Sequence, residues 1–351
     1  MKRFLEIDLL KVLALAIMPM SHIFDEFGNY YDLMKDIPQT STLELGLLFM
    51  NIPTIFMICL GFGIVFSKNS TPQKLLQRGL WMFVIEGVLN LFRITVPHFS
   101  ASFFTGNSEY FAQSFEIFLM SDILPFAGFA FLFFALVKKF DMSKTMVLFI
   151  GLFLTLIQTI IPQYEIQNVY LKHLAGYFIY IDDTSFFPIV SWLIYPIIGY
   201  LLANKLIKVE NKTRCYLKIG GLGLIIFTIT NLFLLLTNSM QARYYLYMET
   251  GFHMDLMTTL IVLSIGLIVV SVAYFVCSFI KNKLLIKVIN NISKNVNSIY
   301  CIHWVLVKIL WTFAVIYNYK IEYNQLFFIG FLIFVVSSII AQIRKTILAS
   351  V

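Results

Sequence analysis

The sequence predicts an all-α, polytopic integral membrane protein. Of its 351 residues, 59% are hydrophobic and only 13% are charged, whereas a soluble domain carries about 25% charged residues. The apolar residues also form long runs that do not alternate with polar residues along the chain. This composition excludes an ordinary soluble protein, a disordered chain and a disulfide-stapled secreted domain.

Each long apolar run is expected to form one membrane-spanning helix. A helix needs roughly 20 residues to cross about 30 Å of hydrocarbon, and it must pair its own backbone N–H and C=O groups there. About ten such helices are expected, in a single membrane domain over residues 1–351. Their expected bounds are 5–24, 43–67, 76–96, 115–137, 145–162, 185–207, 216–237, 256–280, 297–317 and 324–343.

The basic residues predict the orientation of these helices. Nineteen of the 26 Lys and Arg residues fall in the loops on the side that holds both termini. By the positive-inside rule, both termini face the cytoplasm, in a multi-pass protein of the cell membrane. The net charge of +7 then reflects topology, and we expect no nucleic-acid partner. The opposite loops hold only Lys35, Lys172, Arg243 and Lys320.

Motifs for metal binding and for nucleotide hydrolysis are missing from the sequence. It contains no CxxC, no HExxH and no Walker loop, so we expect no metal cofactor. The four cysteines lie in expected helices or cytoplasmic loops, where no structural disulfide is expected.

Several charged residues lie where a membrane makes charge costly, at about 2.5–3.5 kcal/mol or more near the bilayer centre. Lys11 and His22 are eleven residues apart on the first helix, so they share a face and lie about 16 Å apart along the axis. Asp25 follows His22 by three residues and can hold its imidazole in one tautomer. Glu86 and Arg93 are seven residues apart and share a face of the third helix.

These residues also have structural interpretations. His22 fits an interfacial histidine at a helix end, and Asp25 fits a solvated turn residue. Glu86 and Arg93 fit an ion pair that holds helices together, and Asp8 can pair with Lys11. Other polar residues in the expected fourth and ninth spans are Asp122, His303 and Lys308.

The first helix carries a motif with a known counterpart. Residues 7–15 read IDLLKVLAL and are followed by Ser21 and His22. This segment resembles the opening of the integral-membrane acyltransferase-3 family, L-D-x-x-R-x-x-A and then a histidine after the same spacing. Lys11 replaces the family arginine, which keeps the charge but loses the planar two-pronged donor.

Further segments resemble the same family in the expected order along the chain. Residues 53–62, PTIFMICLGF, look like its P-x-x-F-x-x-x-S-G-F segment with Leu60 in place of Ser. Residues 298–304, SIYCIHW, are similar to its late S-x-Y-x-x-H segment. Stretches that resemble the related heparan-alpha-glucosaminide N-acetyltransferase branch are QRGL at 77–80, Leu89-Asn90, and SFFPIVSW at 185–192 with Gly199.

The resemblance implies acyl transfer from cytoplasmic acyl-CoA, with acetyl as the default group, to a hydroxyl or amine outside. The acceptor it implies is a glycan or another cell-envelope component. His22 is then the general base, oriented by Asp25, and Arg93 is a candidate for stabilising the oxyanion. An acyl-histidine intermediate is the alternative mechanism. The candidates for binding the CoA co-substrate are Lys11, Lys74, Arg78 and His303.

Two other functions remain open from the sequence. A transporter could use Glu86, Arg93 and Asp122 as an intramembrane polar relay, although no inverted repeat is found. A catalytically inactive membrane partner could scaffold a glycan-assembly complex. The acidic, tyrosine-containing segment 25–42 fits a sugar acceptor or the charge bias of outer loops equally well. The oligomeric state, including a homodimer, is also left open.

Overall fold

The computed structural model describes residues 4–27, 39–67, 70–120, 122–161, 165–182, 184–237, 239 and 254–350. For residues 39–51, 323 and 348–350, only the backbone is described. Every regular element in these ranges is a helix, which confirms the all-α prediction. Lys35 and most of the segment 25–42 lie outside the described residues.

The helices of the described residues are numbered in chain order. They are α1 Leu5–Phe27, α2 Gln39–Phe66, α3 Pro72–Thr105, α4 Glu109–Ile117, α5 Ile123–Lys139, α6 Lys144–Ile160, α7 Val169–Gly176, α8 Ile189–Lys208, α9 Lys212–Leu236, α10 Leu256–Phe279, α11 Lys283–Lys294, α12 Val296–Ile316 and α13 Tyr323–Ser350.

Seven helices in the described part of the chain are long and apolar enough to cross a membrane: α1, α3, α8, α9, α10, α12 and most of α13. Shorter apolar helices occupy Ile52–Phe66 and Lys144–Ile160. These lengths confirm a multi-pass membrane architecture. The number ten and the side on which the termini lie stay predictions.

The expected span 115–137 is wrong. Helix α4 ends at Ile117, and a new helix begins at Ile123. Asp122 is therefore not inside a helix, as we expected, but is the N-cap of α5, where its carboxylate accepts a hydrogen bond from the Ile123 N–H at 2.6 Å. Asp is a preferred N-cap residue because its side chain satisfies backbone donors of the first turn.

Two other predicted bounds change. Helix α3 continues past the expected end at residue 96 to Thr105, where Gly106 with φ of 74° terminates it. The helix expected to begin at residue 185 begins at Ile189, because Pro188 is extended and precedes the first helical residue. The short helices α4, α7 and α11 were not predicted, since their polar residues interrupt any long apolar run.

The chain divides into two compact units. The first contains Met1–Ile7, Gly46–Glu86 and Leu119–Val276. The second contains Asp8–Leu45, Gly87–Phe118 and Cys277–Val351. The single domain over 1–351 stays a prediction.

In the first unit, glycines allow α2 and α8 to touch through their backbones. A Cβ added at Gly199 would lie 2.0 Å from the Ile58 carbonyl oxygen. One added at Gly61 would lie 2.1 Å from the Pro196 carbonyl oxygen. Small residues at such contacts are typical of membrane helix pairs, so these two glycines are required by packing.

In the second unit, α1 packs against α12 and α13. Ile23 and Phe24 share a buried cluster with Val307 of α12. Gly330 of α13 lies against Met20, where an added Cβ would come within 2.6 Å of the Met20 Cα. This packing fixes the C-terminal half of α1, which carries His22.

Candidate active site

Helices α1 and α12 run parallel in the second unit. Paired positions advance together along both helices: Leu15 shares a buried cluster with Ile299, His22 stacks on His303, and Glu26 pairs with Lys308. The parallel register places the polar residues of both motif-bearing helices at matching levels.

His22 lies on two aromatic rings of α12. Its imidazole stacks on the His303 ring, with centroids 5.4 Å apart and planes 4° apart. It also stacks on the Trp304 ring at 3.8 Å between centroids. The His22 side chain is 22% exposed, whereas His303 is fully buried. His22 is therefore the histidine of this pair that a substrate can reach.

Asp25 lies beside the His22 ring, one turn further along α1. Its Oδ2 atom is 3.7 Å from His22 Nδ1. This is longer than a hydrogen bond, which spans about 2.7–3.2 Å, but it is within the distance over which a carboxylate and an imidazole interact electrostatically.

The position of one proton on His303 follows from its surroundings. Its Nδ1 atom lies 3.1 Å from the Ile299 carbonyl oxygen, and a carbonyl only accepts, so Nδ1 donates. The Nε2 atom then carries a lone pair in the neutral ring. Within the described residues, Nε2 is buried and has no hydrogen-bond partner. Such a buried acceptor is a place where a substrate donor would be stabilised.

Arg93 lies in a π-helical turn, Leu91–Thr95, in the middle of α3. Its buried guanidinium donates from Nε to Asn90 Oδ1 at 2.9 Å, and its central carbon lies 4.9 Å from the centre of the Trp304 ring. Asn90 in turn donates to the Phe118 carbonyl oxygen at 2.8 Å. Asn90 thus holds Arg93 in place on Trp304, the ring that also stacks on His22.

A buried ion pair lies one turn beyond the histidines. Glu26 Oε1 is 2.5 Å from Lys308 Nζ, and the two side chains are 17% and 11% exposed. Lys308 also lies 5.1 Å from the centre of the Trp311 ring. His98 of α3 packs on the same tryptophan, with its ring centroid 4.8 Å from that of Trp311.

Sequence reasoning missed several of these residues. The sequence indicated Lys308 but not its partner Glu26, which falls in the acidic segment 25–42. The sequence indicated Asn90 only as part of a motif and gave no separate indication of His98. The available signal was the rarity of buried polar groups in apolar runs.

The predicted CoA-binding residues lie on three different helices, α1, α3 and α12. Lys74 and Arg78 lie one turn apart at the start of α3 and are exposed, and the Arg78 guanidinium lies 4.5 Å from the centre of the Phe131 ring. Lys11 lies on α1 and is partly exposed. The binding of CoA by these residues stays a prediction.

Three acidic residues of the expected spans, Asp8, Glu86 and Asp122, are buried. Asp8 accepts a hydrogen bond from Ser293 of α11, and its pairing with Lys11 stays a prediction. Glu86 is buried in α3. The carboxylate of Asp122 caps the N-terminus of α5. No observation supports a polar relay of the kind that a transporter would need.

Comparison with known proteins identifies the family. The family model described as an acyltransferase domain, acyltransferase-3, matches residues 4–343. No curated protein and no solved structure matches the chain. The likeness to the heparan-alpha-glucosaminide N-acetyltransferase branch stays a prediction. Since the match covers nearly the whole chain, the protein belongs to the acyltransferase-3 family.

Proposed function

We propose that the protein transfers an acyl group, acetyl by default, from acyl-CoA on the cytoplasmic side to an extracytoplasmic acceptor. The acceptor is a hydroxyl or amine of a glycan or another cell-envelope component. The observation that carries this proposal is the accessible His22 ring, stacked on buried His303 and Trp304 and flanked by Asp25.

His22 acts as the general base in this reaction. As the acceptor oxygen or nitrogen attacks the thioester carbonyl, His22 takes the proton of the acceptor. The resulting imidazolium is stabilised by the negative charge of the Asp25 carboxylate, 3.7 Å away. The tetrahedral intermediate then collapses, the carbon–sulfur bond breaks, and the imidazolium returns the proton to the CoA sulfur. The products are the acylated acceptor and CoA with a free thiol.

Arg93 is the candidate for stabilising the negative oxygen of the tetrahedral intermediate. Its guanidinium is held by Asn90 and lies on Trp304, the ring in contact with His22. A charge that is already fixed before the reaction needs no reorganisation when the oxyanion forms.

CoA offers groups that fit the predicted binding residues. Its phosphates need basic partners, and Lys74 and Arg78 present two exposed positive charges on adjacent turns of α3. Lys11 supplies a positive charge at the motif position of α1. The Nε2 lone pair of His303 can accept a hydrogen bond from an amide N–H of the pantetheine arm.

Acetyl transfer by purified protein in liposomes tests this function. Radiolabelled acetyl-CoA is supplied with a cell-envelope glycan fraction, and labelled glycan and released CoA are both measured. We expect His22→Ala to lower the transfer rate by about 10²–10⁴-fold, the usual contribution of a general base. His173→Gln, which changes a buried histidine of α7 in the first unit, serves as the control.

The outcomes separate the parts of the proposal. Equal transfer by wild type and His22→Ala would remove His22 as the base. Transfer of label from another acyl donor, without consumption of acetyl-CoA, would overturn the donor assignment while leaving the acyltransferase activity in place.

A further inference from the structure

Helix α11 presents its lysines on one narrow face. At about 100° per residue, Lys283, Lys287 and Lys294 fall within an arc of about 40°. All three side chains are exposed. The helix is capped at its start by Asn282, whose side chain accepts hydrogen bonds from the Leu284 and Leu285 N–H groups, so this face belongs to a formed helix.

An exposed apolar face lies next to the lysines. Leu284, Leu285 and Val288 are 69%, 46% and 45% exposed, and they cover an arc of about 100° that begins beside the lysine face. Exposed apolar side chains grouped in this way are unfavourable in water and mark a surface that another apolar phase covers.

The third face of α11 packs against the rest of the second unit. Ile289 and Ser293 are buried there, and Ser293 donates a hydrogen bond to Asp8 of α1. The helix is therefore fixed through one face, and its lysine and apolar faces both point away from this contact.

The neighbouring helices set the depth of α11. Three residues separate it from α10, which ends at Phe279, and one residue separates it from α12, which begins at Val296. Both neighbours are long and apolar enough to span a membrane. With only one residue between α11 and α12, α11 ends at the level where α12 enters the hydrocarbon.

The positive charge around α11 indicates an anionic partner. Between Asp255 and Glu322 the sequence contains no acidic residue, and Lys281 adds a fourth lysine beside α11. An amphipathic helix with lysines on its polar face and leucines on its apolar face is typical of a helix lying in the membrane interface. Each lysine near an anionic lipid surface contributes about 1 kcal/mol to such binding.

We propose that α11 is an interfacial helix that binds anionic phospholipid headgroups of its own leaflet. Leu284, Leu285 and Val288 lie in the boundary between headgroups and acyl chains. The lysine face contacts lipid phosphates. An acidic protein partner in water would satisfy the lysines but would leave the apolar face at membrane depth without a role.

Lipid binding by the purified full chain tests the proposal. The protein in detergent is titrated with phosphatidylglycerol and, separately, with phosphatidylcholine, and bound lipid is counted by native mass spectrometry. We expect wild type to retain phosphatidylglycerol selectively and the test variant to bind it at least about tenfold more weakly. The test variant carries Lys283→Gln, Lys287→Gln and Lys294→Gln.

The control variant makes the same change in net charge elsewhere on the lysine-rich side. It carries Lys144→Gln, Lys205→Gln and Lys208→Gln, three exposed lysines of other helices. We expect it to bind phosphatidylglycerol as wild type does. Equal lipid binding by the test and control variants would overturn the proposal, as would loss of a co-purifying acidic protein with unchanged lipid binding.

The apolar face is tested independently of the lysines. A fluorescent amino acid placed at residue 284 in the reconstituted protein is exposed to quenchers attached to lipid headgroups or dissolved in water. We expect strong quenching by the lipid-borne group. Quenching by the aqueous group alone would place α11 in water and overturn the proposal.

Discussion

The ring of His22 on α1 stacks in parallel on the ring of His303 on α12, with centroids 5.4 Å apart. This contact joins the first and the late motif of the family, which are separated by 280 residues in the sequence. The His22 ring is the accessible one of the pair, while the buried His303 ring packs against it and retains a lone pair at Nε2.

Substitution of His303 separates its support of His22 from binding of CoA. We expect His303→Ala to lower kcat, since it removes the ring on which His22 rests, and to destabilise the fold by about 2–4 kcal/mol through the cavity left behind. We expect His303→Phe, which keeps a stacking ring, to restore kcat while the KM for acetyl-CoA stays raised.

Steady-state kinetics of both variants check this expectation. A normal KM for acetyl-CoA in His303→Phe would show that the Nε2 lone pair does not contact the cofactor, and it would restrict His303 to supporting His22.

Asn90 is expected to act through Arg93. Asn90→Ala removes the acceptor of the Arg93 Nε–H bond and the donor to the Phe118 carbonyl, and each lost buried bond costs about 1–3 kcal/mol. We expect kcat to fall by about tenfold or more with little change in KM. Asn90→Asp keeps the acceptor for Arg93, so it is expected to retain more activity; equal loss in both variants would contradict a positioning role.

The Glu26–Lys308 pair is expected to show strong coupling in stability. Glu26→Leu leaves the buried Lys308 without its carboxylate, which destabilises a protein by about 3–5 kcal/mol. The double variant Glu26→Leu with Lys308→Leu replaces both charges and is expected to recover much of that loss. Thermal unfolding in detergent measures both, and additive effects of the two single substitutions would contradict the pairing.

Asp182 is expected to make the loop before α8 sensitive to acid. Burial raises the pKa of its carboxyl, but hydrogen bonds from Thr184 and Lys172 outweigh this, so that its pKa is lowered. The Lys172 Nζ atom lies 2.9 Å from Asp182 Oδ2. A lowered pKa means that the contribution to stability is present above the unfolded value, about 3.9, and is lost as the pH falls through the folded value.

Limited proteolysis of this loop as a function of pH tests Asp182. We expect Asp182→Asn to be cleaved faster than wild type at pH 7, and the difference to vanish below the folded pKa of Asp182. A difference that persists unchanged to strongly acid pH would show that charge at this position has no part in holding the loop.

The sequence predicted the long helices well because their apolar runs are continuous. The expected span 256–280 nearly coincides with Leu256–Phe279. The prediction was wrong at 115–137. Asp122 and Pro125 suit the start of a helix, but the apolar residues around them form one continuous run that does not show where the first helix ends. The amphipathic helix α11 has no apolar run for a hydropathy pattern to detect.

The sequence indicated His22, Asp25, Arg93 and His303, but not His98, and it did not indicate most of the contacts between the site residues. Periodicity placed Asp25 beside His22, because both lie on one helix. The pairing of His22 with His303 and of Glu26 with Lys308 depends on helix packing. That packing is set by residues such as Gly330 and Met20 in α13 and α1, and no spacing rule connects them.

The most direct test of His22 as the base is a single-turnover measurement of acetyl transfer. Reconstituted wild type and His22→Gln are mixed with radiolabelled acetyl-CoA and acceptor, and labelled acceptor is followed with time. We expect the first-order rate of His22→Gln to fall by about 10²-fold or more, with acetyl-CoA still bound. A rate equal to that of wild type would contradict the assignment of His22.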